Sequence, residues 1–335
     1  MLLVCGTAAF FASTSLSAPA ARRFGTRILL MCGSVCAGLG GVVVAASPSF
    51  VAVAVGVAML SGGAGLVDAT VSSLVSMAGA ARLIGIMHGI YAVGAAGAPL
   101  VLAAWASSSS WRVVYLAIAL TYALLLTAWS RFAAAERPPE RRRSSGAEPQ
   151  LQLGRLAVAL ATFVAASGLE IAAGAWAAVY LSDGLGQGPG TASLGALAFW
   201  AALCVSRLLA GAGGIRQARM WMVVGSFVAV AGGIALWSLS TAPAAVVALA
   251  VLGAGVGPQL PMLTVLTPHR VGRLAAAHVI GWQLAAASVG SALVAGGIGV
   301  WVHRSGVDAI PAALAVTAVV TAALVVALDR QSARA

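Results

Sequence analysis

GGAGLVDATVSSLVSMAGAARLIGIMHGIYAVGAAGAP, residues Gly62–Pro99, consists of two apolar segments meeting at a short turn that holds Arg82. Each segment carries one ionisable residue, Asp68 before the turn and His88 after it. A charged side chain at the centre of a bilayer-spanning segment is disfavoured by about 2.5–3.5 kcal/mol, so such residues face a bundle interior or a water-filled cavity and mark a pathway. Each is about ten positions from Gly79, roughly 15 Å along a helix. The two are therefore expected at one depth of a polar cavity.

The rest of the chain has the same character. Of 335 residues, 61% are hydrophobic and only 8% charged, where a soluble domain carries about 25% charge. The sequence reads as a membrane protein. The net charge of +11 does not point to nucleic acid, because the 19 basic residues, all Arg, are spread between apolar spans and form no single basic face. Cys5, Cys32, Cys36 and Cys204 all fall inside apolar segments without metal-ligand spacing, and read as small packing residues. No metal and no cofactor are expected.

With about 20 apolar residues per span, and Gly, Ala and Ser tolerated where helices approach closely, eleven spans are predicted. They lie near 1–18, 28–46, 50–74, 84–106, 111–132, 155–181, 191–211, 219–240, 244–266, 274–301 and 308–328. The first is a span rather than a cleaved signal, since its arginines (Arg22, Arg23, Arg27) follow the apolar run. With Met1 outside, 17 of the 19 arginines fall on the cytoplasmic side and only Arg112 and Arg304 outside. That satisfies the positive-inside rule and checks the span count. Segment 133–154, AAAERPPERRRSSGAEPQLQLG, reads as a flexible cytoplasmic linker. It divides a transmembrane half at 1–132 from another at 155–335, with the C-terminus also cytoplasmic.

The halves repeat at a shift of about 190 residues. Gly63-Ala64-Gly65-Leu66 matches Gly253-Ala254-Gly255-Val256, Arg82-Leu83 matches Arg273-Leu274, Tyr91 matches Trp282, and the turn ending in Arg27 matches that ending in Arg219. Such a register predicts a parallel repeat about an axis along the membrane normal. The second half has six predicted spans and the first has five, so the partner of span 155–181 would lie upstream of Met1; a start set too late or a fragment is expected, with an eleven-span variant as the alternative.

Two such halves around a basic linker resemble the major facilitator superfamily, and four stretches resemble its fucose-permease-like branch. The first is Gly65, Asp68 and Ala69, followed by His88, Gly89, Tyr91, Gly94 and Pro99. The second is Gly168, Glu170, Trp176 and Tyr180. The third is Phe199-Trp200 before Arg207, and the fourth combines Gly255, Gly257, Pro258 and Pro261 with Gly281-Trp282-Gln283 and Gly290. Ser72 stands where the branch has Asn, and Ser206 where it has Gly. Arg23, Gly25 and Arg27 keep the character of the superfamily's cytoplasmic gate, but Ala20 or Ala21 stands near the usual acidic residue. The resemblance implies an all-α secondary transporter in two pseudo-symmetric helical halves, often proton-coupled, for sugars or other small polar solutes.

Glu170 lies fifteen residues beyond Arg155, roughly 22 Å into its span. A carboxyl there is a candidate for taking up and releasing a proton, or for a purely structural ion pair. Asp68 and His88 are further candidates for proton coupling. Ser72, Tyr91, Trp176, Gln259, Trp282 and Gln283 are candidates for holding a hydroxylated solute; interhelical hydrogen bonding is an equal alternative for the glutamines, and anchoring at interfaces or filling gaps between helices is the commoner role of Trp and Tyr. Arg23, Gly25, Arg27 and Arg207 are candidates for the cytoplasmic gate. Pro258 and Pro261 are expected to kink their span.

The expected partners are a small-molecule substrate, protons and the lipid bilayer of the plasma membrane, with the protein acting as a monomer. The leading expectation is proton symport of a sugar-like solute by alternating access. Proton-driven efflux of drugs or metabolites and a non-transporting membrane sensor are the alternatives. An enzyme is not expected, because nothing in the chain combines a nucleophile, a base and an orienting group, or carries a phosphate-binding Gly-Lys motif.

Overall fold

Every predicted span has its helix. The computed structural model describes residues 2–106, 111–131 and 153–333, with backbone alone for Leu3, 98–106 and 332–333; all but the last two residues of the polar segment 133–154 lie outside the described residues. The helices are α1 (Leu2–Phe24), α2 (Thr26–Ala46), α3 (Phe50–Met77), α4 (Ala81–Ala106), α5 (Arg112–Arg131), α6 (Leu153–Val179) extended by one π-helical turn (Tyr180–Gly184), and α7 (Pro189–Ala212). They continue with α8 (Gly214–Ser238), α9 (Ala242–Val256), α10 (Gln259–Val265), α11 (Thr267–Val271), α12 (Arg273–Ser305) and α13 (Ala309–Ala333). Nine stretches among the described residues are long and apolar enough to cross a membrane. With α1 and α4, the other two long helices, they account for the eleven predicted spans, and the protein is an integral, multi-pass membrane protein.

Several connections turn on a glycine whose backbone is left-handed. Gly25 (φ 87°) joins α1 to α2, and Gly79 (φ 65°) and Gly272 (φ 79°) precede α4 and α12. The α9–α10 break falls at Gly257-Pro258. Proline lacks an N–H and clashes with the carbonyl four residues back, so at the expected kink the helical hydrogen-bond ladder is interrupted while Gly257 and Pro258 keep helical backbone angles.

The helices group into two compact units. One comprises Met1–Leu74, Leu100–Gln150 and Val271–Ser288, and the other Val75–Pro99, Leu151–Arg270 and Val289–Ala335. In the first, α2 packs on α5, α3 and α1. A Cβ on Gly63 would overlap the Gly33 carbonyl and the Ala37 amide of α2, and one on Gly40 would overlap the Leu60 amide of α3. In the second, α9 packs between α7 and α8, and α13 against α6 and α8. There a Cβ on Gly255 would meet the Ala229 amide and the Gly225 carbonyl, and one on Gly232 would meet the Leu252 amide.

These contacts fix the repeat at 192 residues: Gly33, Ala37, Gly40, Leu60 and Gly63 correspond to Gly225, Ala229, Gly232, Leu252 and Gly255. The match of Gly63 with Gly253 expected from the sequence is therefore corrected by two positions. The stretch Gly253-Ala254-Gly255-Val256-Gly257 accepts either register by letter, and only the backbone each glycine must clear decides between them.

Candidate functional site

Arg207 is the largest wholly buried side chain described. Three donors of its guanidinium are spoken for. Nη2 donates to Glu170 Oε2 of α6 at 2.5 Å, Nη1 to the His88 carbonyl of α4 at 3.0 Å, and Nε to the Gly257 carbonyl at the α9–α10 break at 3.1 Å. Glu170 is itself 2% exposed. An ion pair so far from water costs several kcal/mol per charge in desolvation, offset only when attraction is close and the remaining donors are satisfied. Here the attraction is close and each guanidinium nitrogen makes one hydrogen bond.

Local sequence explains why these groups converge. α4 meets α7 through glycine: a Cβ at Gly85 would sit 2.8 Å from the Arg207 carbonyl and 2.9 Å from Gly211 Cα, and one at Gly89 would sit 3.1 Å from the Leu208 side chain. That approach brings the His88 carbonyl within reach of the guanidinium. On the other side α7 lies hard against α9, where a Cβ at Gly253 would overlap the Phe199 carbonyl and one at Gly257 the Ser206 hydroxyl. α6 is pinned by Trp200 packed over Gly174, by the Trp176 Nε1 donating to the Ala295 carbonyl at 3.1 Å, and by a Ser167–Ser291 hydroxyl contact of 2.7 Å.

The other predicted residues are placed as follows. Asp68 is half-buried in α3, and its Oδ1 accepts from the buried Ser72 hydroxyl at 3.0 Å. Among the described residues the ion pairs are Arg207–Glu170 and Arg219–Asp329, so no cation pairs with Asp68 there. The α5 residue Tyr122 lies within electrostatic reach of that carboxyl, a neighbour the sequence did not signal. Gln259 is fully buried; its Nε2 reaches the Gly255 carbonyl at 3.4 Å and its Oε1 has no partner among the described residues. Gln283 is buried, Trp282 is 37% exposed with its ring 6.3 Å from that of His278, and Tyr91 is 53% exposed. Trp176 is tied to α12 as described above.

At the gate candidates, Arg23 lies exposed over the Phe24 ring at 5.4 Å. Arg27 donates to the Ser130 carbonyl at the end of α5. Arg219, its repeat partner, grips Asp329 at the end of α13 through two bonds of 2.6 and 2.9 Å. Arg270, in the last turn of α11, keeps its Nη2 3.3 Å from the Met222 sulfur, and burial pushes its pKa down to about 10 against the upward pull of Asp329. It remains charged at neutral pH. Arg207, the fourth gate candidate, is not at a helix end but in the buried network. Its pairing with Glu170 went unread in the sequence. The available signal was Pro261, four residues after Gly257, which leaves the Gly257 carbonyl without its helical donor.

A family model of the Major Facilitator Superfamily matches residues 1–295. The chain belongs to the Major Facilitator Superfamily, and it is a membrane transporter rather than an enzyme. Its fold is similar to that of FucP in the outward conformation (TM-score 0.77, 13% identity, covering 99% of this chain and 89% of that one), FucP being the fucose:proton symporter of E. coli. It is similar as well to the human organic anion transporter MFSD10 (TM-score 0.76, 11% identity, 97% and 82% covered). A third likeness is to the proton:xylose symporter XylE with bound 6-bromo-6-deoxy-D-glucose (TM-score 0.74, 14% identity, 95% and 83% covered). No curated protein sequence matches the chain.

Proposed function

We propose that the protein is a proton-coupled symporter of a small, polar, sugar-like solute in the plasma membrane, of the fucose-permease-like branch, working by alternating access. The observation that carries this reading is the Glu170–Arg207 pair, a carboxylate and a guanidinium sealed inside the helices with every guanidinium nitrogen hydrogen-bonded. In the proposed cycle this carboxyl alternates between an ionised arrangement against Arg207 and a protonated one released from it, and each changes what the guanidinium holds. Passing between them takes up or gives off one proton, which is what a coupled cycle needs. Asp68, bonded to a serine, is a second carboxyl for proton exchange, and His88 is a candidate relay. Ser72, Tyr91, Trp176, Gln259, Trp282 and Gln283 supply hydroxyl, amide and aromatic groups suited to a hydroxylated ring. The fold likeness to two sugar:proton symporters supports the choice of solute class.

The test is uptake of radiolabelled fucose, xylose and related monosaccharides by proteoliposomes under an inward proton gradient. Accumulation with alkalinisation of the medium is expected. Glu170→Gln should abolish gradient-driven accumulation while leaving solute exchange at equal pH. Equal accumulation by the variant removes Glu170 from coupling. Gradient-driven export of apolar cations with no monosaccharide uptake replaces symport with efflux.

A further inference from the structure

The α9–α10 break lacks a donor that the repeat partner of this segment possesses. In α3 the chain is helical without interruption from Phe50 to Met77, and the residue four beyond Gly65 is Ala69, whose N–H serves the Gly65 carbonyl. At the corresponding place Gly257 is followed four residues on by Pro261, which has no N–H, and by Pro258 directly after it. The Gly257 carbonyl is thereby orphaned inside the protein, and a buried carbonyl without a donor is costly.

The neighbouring helices differ in step. Gly65 packs against Ser13 of α1, and Gly257 against Ser206 of α7. Both serines donate to the carbonyl three residues back at 3.0 Å. The residue after Ser13 is Thr14, which bonds only within its own helix. The residue after Ser206 is Arg207, and its Nε meets the orphaned carbonyl. The half with the broken helix has an arginine at this position, and the half with the continuous helix does not. The nearby Gln259 amide does not close the break, since it directs its Nε2 donor to the Gly255 carbonyl at 3.4 Å.

We infer that Arg207 is a positioning residue that closes the α9–α10 joint by replacing the N–H missing from Pro261, and that Glu170 holds it in that role. With Glu170 ionised, the carboxylate and the His88 carbonyl fix the guanidinium plane so that Nε points at Gly257 and the joint is shut. With Glu170 neutral, the guanidinium loses its strongest tether, the cap is released and α10 is free to swing on α9. Among the described residues, the titratable groups at the pair are Glu170 of α6, Arg207 of α7 and, within electrostatic reach of the guanidinium, the His88 imidazole of α4. This deepens the proposed function by converting a protonation event into movement of one helix segment.

The assignment is tested without transport, by a double-mutant cycle on the thermal stability of the purified full chain in detergent. Pro261→Ala restores the missing N–H and makes the Arg207 cap redundant. The Tm loss on Arg207→Gln should then be smaller in the Pro261→Ala background by about 3 °C or more. The cost of leaving Glu170 unpaired is common to both backgrounds and cancels in the cycle. Equal losses overturn the cap.

Hydrogen–deuterium exchange of peptides covering 253–266 gives a second reading that does not depend on the folding of the Arg207 variant. Exchange there should be several-fold faster in Glu170→Gln than in the wild type, and adding Pro261→Ala should suppress the increase. Unchanged exchange in Glu170→Gln, or an increase that Pro261→Ala leaves untouched, overturns control by Glu170. Failure of monosaccharide uptake with both readings intact refutes the transport reading alone.

Discussion

Removing one partner of a sealed ion pair strands the other, and that stranding dominates the energetics of Arg207 and Glu170. Arg207→Ala should destabilise the protein by about 3–5 kcal/mol, whereas replacing both residues with methionine should recover most of the loss. Chemical denaturation in detergent micelles measures both. Arg219 offers the contrast. Its pair with Asp329 has good geometry, but its side chain is 65% exposed, where solvent screens the attraction. Arg219→Ala should leave the melting temperature within experimental error. The Glu170–Arg207 pairing was not legible in the sequence because the residues are 37 positions apart and counting along each helix assigns them different depths. Glu170 is fifteen residues past Arg155, while Arg207 is five from the end of α7. Depth counting assumes that the ends of neighbouring helices are level.

Helices in this chain meet through glycine, and the register of the repeat is written in what those glycines must clear. Gly63→Leu and Gly255→Leu should each cost about 1–3 kcal/mol or more by forcing α3 from α2 and α9 from α8. The two losses should be similar, because both would drive into the same amide and carbonyl of the facing helix. Gly296→Ala, with nothing within 4 Å of its added methyl, should cost nothing measurable. Scanning calorimetry of the three variants checks the set. At this scale the sequence was a good guide to where helices lie, since runs of about 20 apolar residues bounded by Arg, Gly and Pro left little choice, and the paired prolines at 258 and 261 marked the break in advance. It was a poor guide to which glycine faces which helix. In a chain with 40 glycines identity is uninformative, and only backbone clearance separates a packing glycine from a free one.

For the molecule as a whole, the arginines argue for one orientation in the membrane. With the Arg-bearing turns inside, a cysteine introduced at Ala78, exposed between α3 and α4, should resist an impermeant maleimide added to intact cells. One at Ser240, exposed between α8 and α9, should react. The four native cysteines would first be replaced by serine. Labelling in the reverse pattern inverts the topology.

The single-residue connection at Gly25 bears on how the chain is made. With α1 ending at Phe24 and α2 beginning at Thr26, the two helices form a hairpin that turns on one residue, so the depth at which one settles in the bilayer sets the depth of the other. An epitope tag or protease site spliced between Phe24 and Thr26 would disturb biogenesis before it ever touched transport.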